Sequence, residues 1–114
     1  MTNSINKVRA ASTILDAICK ELKDDAPIFR EHFDGYNNPV AVVMSEFENK
    51  LTYRERTILG MRLGFDIRNN YGECRKESYD ECAISFEMSC AQSASRIYHK
   101  SLRKLATFIM GAME

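Results

Sequence analysis

Thr52-x-x-Glu55, Ser78-x-x-Glu81 and Ser89-x-x-Gln92 each place a carboxyl or amide residue three positions after a hydroxyl residue. In such a capping box each side chain satisfies a backbone N–H that a starting helix leaves free. The apolar residues around these starts recur at steps of three and four, and no stretch alternates convincingly at two. The pattern commits the chain to helices. The expected fold class is all-α, a helical bundle.

Helix by helix, the spacing of Ile5, Val8, Ala11, Leu15, Ile18 and Leu22 predicts an amphipathic helix over 4–23 with those residues inward. Asp24-Asp25 closes it, and Pro27 suits the first turn of a short helix carrying Ile28, Phe29 and Phe33. Gly35 to Pro39 is turn chemistry, with Asn38 as N-cap and Pro39 at the first helical position of a helix burying Val40, Val43, Met44, Phe47 and Leu51. Thr52 opens the next helix, which carries Ile58, Leu59, Met61 and Leu63 and stops at Gly64. Residues 65–77, polar and containing Asn69, Asn70 and Gly72, read as a loop. Ser78 opens a short helix with Tyr79, Cys82, Ala83 and Phe86 inward. Ser89 opens a long final one whose Ala94, Ile97, Tyr98, Leu102, Leu105 and Ile109 share a face.

This is a single chain of 114 residues with 16 basic and 16 acidic side chains, so no global field draws it to nucleic acid or to an anionic membrane. Any such contact needs a local patch, and residues 89–113 offer one: Arg96, Lys100, Arg103 and Lys104 with no acid. The bland reading of that patch is a solvated basic helix end suited to the C-terminal dipole. No apolar run reaches the roughly 18 residues a transmembrane helix needs. The first residues lack the basic-then-apolar order of a secretory signal. Cys19, Cys74, Cys82 and Cys90 form no Cys-x-x-Cys pair, so free thiols and a cytoplasmic setting are expected. Their spacing, even with His99, is not that of a zinc site, and no metal or other cofactor is expected. His32 and His99 have no evident nucleophile or carboxylate partner, Asp24-Asp25 and Asp80-Glu81 read as helix-end acids, and five glycines form no phosphate loop. An enzyme is not expected.

A short helix opened by Ser78, a tight turn and a long helix opened by Ser89 have the order of a helix-turn-helix. The residues around it carry a family resemblance. Leu51-Thr-Tyr-Arg-Glu-Arg-Thr-Ile-Leu-Gly-Met-Arg-Leu-Gly-Phe-Asp66 resembles the opening of region 4 of bacterial sigma-70 factors. Ser78-Tyr-Asp-Glu-Cys-Ala-Ile-Ser-Phe-Glu-Met-Ser89 is similar to that family's next block. Arg96-Ile97 and Lys100-Ser101-Leu102-Arg103-Lys104-Leu105 look like its close. The three blocks keep their order over residues 51–106. The resemblance implies a helix-turn-helix whose last helix enters the major groove of promoter DNA at a −35 element. It also implies docking on the β flap of RNA polymerase.

Carried over by position, Arg54, Arg62 and Lys100 match residues that hold DNA phosphates, and Ser78 matches a hydroxyl residue at a helix start that touches the backbone. Gln92, Ser93 and Arg96 fall where side chains reach base edges; Gln suits adenine and Arg suits guanine. The expected organisation is 1–50 as N-terminal helices packing on the C-terminal module, and 51–114 as the region 4-like helix-turn-helix. The sequence departs from the family where Cys90-Ala91-Gln92-Ser93-Ala94-Ser95, small and nearly uncharged, stands in the place of Arg-rich recognition residues. The loop at 67–77 is longer, and residues 1–50 lack the cluster that melts the −10 element. Two functions follow as expectations: a transcription regulator binding promoter DNA and/or RNA polymerase, or a protein–protein module that keeps the shape and binds polymerase or another regulator without reading DNA. A homodimer through the N-terminal helices would suit palindromic sites. Met44, Met61, Met88, Met110 and Met113 read mainly as core. The apolar tail 108–113 would pack on the N-terminal helices or on a partner chain.

Overall fold

The computed structural model describes residues 2–112. Its elements are α1 (Thr2–Leu22), a short 3-10 turn (Lys23–Asp25), α2 (Ala26–Asp34), α3 (Pro39–Lys50), α4 (Tyr53–Leu63), β1 (Phe65–Asp66), a second 3-10 turn (Ile67–Asn69), β2 (Gly72–Glu73), α5 (Tyr79–Ser85) and α6 (Ala91–Gly111). The chain is mostly helical with one small two-stranded sheet.

Most expected helix ends form for the expected reasons. Asn38 Oδ1 accepts the Ala41 N–H at 3.2 Å, with Pro39 starting α3. Thr52 and Glu55 close a reciprocal box at the head of α4, and Ser78 and Glu81 do so at the head of α5. Gly64, at φ 89, ends α4 in the left-handed region that glycine adopts without strain. Arg56 finishes α3 from outside, donating to the Leu51 carbonyl at 2.7 Å and the Glu48 carbonyl at 3.1 Å.

The third box is a correction. α6 starts at Ala91 with Cys90 as its N-cap, and no side chain caps it. Ser89 sits one position too early, and a thiol is a weak acceptor in its place.

α6 is the central element and packs against α1, α2, α3, α4 and α5. Its Leu102, Leu105, Ala106 and Ile109 join Ile14 and Ile18 of α1, Phe29 of α2, Val43, Met44 and Phe47 of α3 and Leu59 of α4 in one core. Residues from both sides of position 51 thus share that core. A smaller cluster under the α5–α6 turn holds Cys82, Ala83 and Ala94, with Met61, Tyr79 and Met88 against it. The tail packs inward: Ile109 is buried, Met110 lies on the main core, and the Tyr36 hydroxyl donates to the Ile109 carbonyl. Met113 is outside the described residues.

Two expectations are overturned. On α1, Ile5 and Val8 are exposed, at 67% and 52%, while Ala10, Ala11, Ile14, Ala17 and Ile18 are buried. The inward face is turned toward the alanines, whose small side chains let α1 lie close to α3 and α6. Residues 65–77 are also not a plain polar loop. Phe65 pairs with Glu73 and Asp66 with Gly72 in an antiparallel hairpin, turned through Asn70 and Tyr71 at φ 52 and 61. Its two aromatics, Phe65 and Tyr71, are buried beside Phe47 at ring separations of 5.8 and 6.2 Å.

Candidate nucleic-acid interface

α5 and α6 are joined by Phe86 to Cys90, five residues that reverse the chain by a defined bonding pattern. The Met88 N–H reaches back to the Ala83 carbonyl at 2.8 Å and the Glu87 N–H to the Ile84 carbonyl at 3.2 Å, with Glu87 at φ 54. This is the Schellman closure, and its usual apolar contact is present between Met88 and the Ala83 cluster. The turn fixes where α6 starts relative to α5.

On α6, Gln92, Arg96 and Lys100 are spaced four apart and all three are exposed, so they form one row along the outer face. Ser93 is half-buried beside that row, its Oγ 3.7 Å from Cys90 Sγ. The Ser93 backbone, and after it the Ser93 hydroxyl, favours the thiolate and holds Cys90 below the usual thiol range. Arg54 is exposed in the first turn of α4. Ser78 is exposed at the head of α5, where its Oγ accepts the Glu81 N–H at 3.1 Å. Glu81, held chiefly by Arg75 at 2.6 Å and next by the Ser78 N–H, is pushed down to about 2.

Arg62 is placed differently from the other matched residues. Its guanidinium lies 4.1 Å from the centre of the Tyr79 ring and 5.8 Å from that of Tyr98, and it donates to the Glu77 carbonyl at 2.9 Å. It therefore braces α4 against α5 and α6 as well as contributing charge. Tyr79 and Tyr98 were legible only as inward residues, since nothing in their spacing shows that an arginine lies over them.

The basic helix also has less uncommitted charge than its composition suggests. Arg103 donates to Glu21 at 2.6 Å, His99 Nδ1 lies 2.5 Å from the other oxygen of the same carboxylate, and Lys104 meets Glu55 at 3.0 Å. Arg96 and Lys100 have no such partner among the described residues. The cations free to meet a phosphate on α6 are these two, and both are in the outer row.

α5 has the opposite character. Asp80 and Glu81 make it acidic, Glu87 follows in the turn, and Ile84 stands 76% exposed between them. No group of three or more His, Cys, Asp or Glu among the described residues is arranged to hold a metal ion. Among the same residues, no helix is long and apolar enough to cross a membrane. No family profile, curated protein or solved structure matches the chain.

Proposed function

We propose that this protein is a transcription regulator that contacts promoter DNA through α6. The observation that carries this reading is the row Gln92, Arg96 and Lys100: exposed, acid-free, and presented by a long helix behind a tight turn. Arg96 and Gln92 have the donor geometry that reads guanine and adenine, and Lys100 has the point charge that holds a phosphate. Arg54 and Ser78 add backbone contacts at two further helix starts. The resemblance of residues 51–106 to sigma region 4 supplies the promoter −35 element as target and the polymerase β flap as protein partner.

A second reading is favoured by α5. An exposed isoleucine within an acidic helix is poorly suited to a phosphate backbone and well suited to a protein surface. In that reading the module binds RNA polymerase or another regulator and leaves DNA unread.

Fluorescence anisotropy on a labelled duplex with a −35 element, at two salt concentrations and with or without polymerase core, separates the two. Salt-sensitive binding by the protein alone, weakened in Arg96→Ala and Lys100→Ala, is expected for a DNA reader. Binding that requires polymerase supports the second reading. Silence at low salt in both arms overturns the DNA proposal.

A further inference from the structure

A polar groove of about 860 Å3 runs between the second half of α1 and the α4–α5–α6 corner. Lys20, Lys23, Arg62, Lys76 and Arg103 line it, against the two carboxylates Asp16 and Glu21. The chain is neutral overall, so this is a local concentration of charge contributed by four separate parts of the sequence. Several cations outside the groove are matched: Lys104 by Glu55, Arg75 by Glu81, Lys7 by Glu48. Here Glu21 is already taken by Arg103 and His99, and Asp16 faces Arg30 at 4.0 Å. Lys20, Lys23 and Lys76 have no ion pair or hydrogen bond among the described residues.

Two cations of the groove are placed by the fold. Lys23, at φ 53, is the left-handed residue that closes α1, and its exposed side chain lines the groove. Arg62 is fixed at the groove wall by its stacking over Tyr79 and its hydrogen bond to the Glu77 carbonyl. A fixed guanidinium with three exposed ammonium groups around it is the chemistry that receives a phosphate chain. The volume lies within the range of about 300–1,000 Å3 typical of small-ligand sites.

We propose that the groove between α1 and α6 is a binding site for a small organic di- or triphosphate. This is independent of DNA contact by the outer row of α6, from which Lys20, Lys23 and Lys76 are separate. It gives the N-terminal helices a role beyond completing the core.

Calorimetric titration of the full chain with pyrophosphate and with ATP tests it. Each is expected to saturate at one per chain. The double variant Lys23→Ala/Lys76→Ala, altered only at exposed positions, should weaken both by about tenfold or more, a loss of about 1.4 kcal/mol. Its thermal midpoint and its affinity for duplex DNA should be unchanged. Absence of saturable binding by either probe overturns the proposal, as does binding indifferent to the double substitution. If the variant keeps its pyrophosphate affinity and loses duplex affinity, the groove is a DNA-backbone surface and the proposal fails. Should the wild-type chain bind pyrophosphate and no duplex, this inference stands while the DNA reading falls.

Discussion

Glu55 accepts a hydrogen bond from Lys104 at 3.0 Å while the same oxygen accepts the Thr52 backbone N–H at 2.8 Å. One carboxylate therefore starts α4 and ties it to α6. Burial alone would raise its pKa, but the Thr52 N–H and Lys104 outweigh that and hold the group below its ordinary value. A depressed folded-state pKa contributes stability that is present above the unfolded value and is lost as pH falls through the folded one.

The two roles of Glu55 are separable. Glu55→Gln keeps an acceptor for the cap and removes the charge, so at neutral pH it should cost up to about 1 kcal/mol. Glu55→Ala removes both and should cost about 1–2 kcal/mol. Urea titrations at pH 7 and pH 3 check this. The wild-type advantage over Glu55→Gln should shrink at the lower pH; an equal gap at both would show that the charge is not what matters.

Glu87 points to a substitution that should stabilise the protein. It occupies, at φ 54, the position after a helix end where glycine is free of strain. Glu87→Gly should raise stability by up to about 1 kcal/mol and should leave the α5–α6 geometry intact. A thermal midpoint that falls would show that the Glu87 side chain contributes more than its backbone strain costs.

The same turn illustrates what a sequence conceals. Helix starts with side-chain partners were legible at Asn38, Thr52 and Ser78, because the acceptor is local and of the right type. Cys90 gave no such signal, and Ser89, one residue away, did. The phase of α1 was misread because Ile5 and Val8 outweigh Ala10, Ala11 and Ala17 in any apolar tally, although close helix packing favours the smaller residues. Phe65 and Tyr71 were hidden in a segment whose average is polar. Their burial depends on Phe47, a long-range partner that no local window contains. On α6, periodicity located the row Gln92, Arg96 and Lys100. That Arg103 and Lys104 are already committed depends on Glu21 and Glu55, which lie 82 and 49 residues away.

Tyr71 carries a prediction at the alkaline end. Burial first, and the nearby Glu48 second, push its hydroxyl up to about 12. For a raised folded-state pKa the stability is complete below the unfolded value and is lost as pH rises through the folded one. The window is therefore about pH 10 to 12. Stability measured across it should fall, and Tyr71→Phe, which cannot ionise, should fall less. Parallel curves for the two proteins would place the alkaline sensitivity elsewhere.

Arg62 and Lys100 were both expected to hold a DNA phosphate, yet the structure gives them different surroundings, and their variants should differ accordingly. Lys100 is exposed and without a partner among the described residues, so Lys100→Ala should leave the thermal midpoint unchanged. On DNA it should lower affinity and reduce the salt slope by about 1. Arg62 is stacked on Tyr79 and hydrogen-bonded to the Glu77 carbonyl, so Arg62→Ala should destabilise the fold by about 1–3 kcal/mol before any ligand is added. A fall in DNA affinity for that variant is uninformative unless measured well below its melting temperature. There, an unchanged salt slope would mean that Arg62 acts by positioning α5 and α6, and a slope reduced by about 1 would mean that it also meets a phosphate.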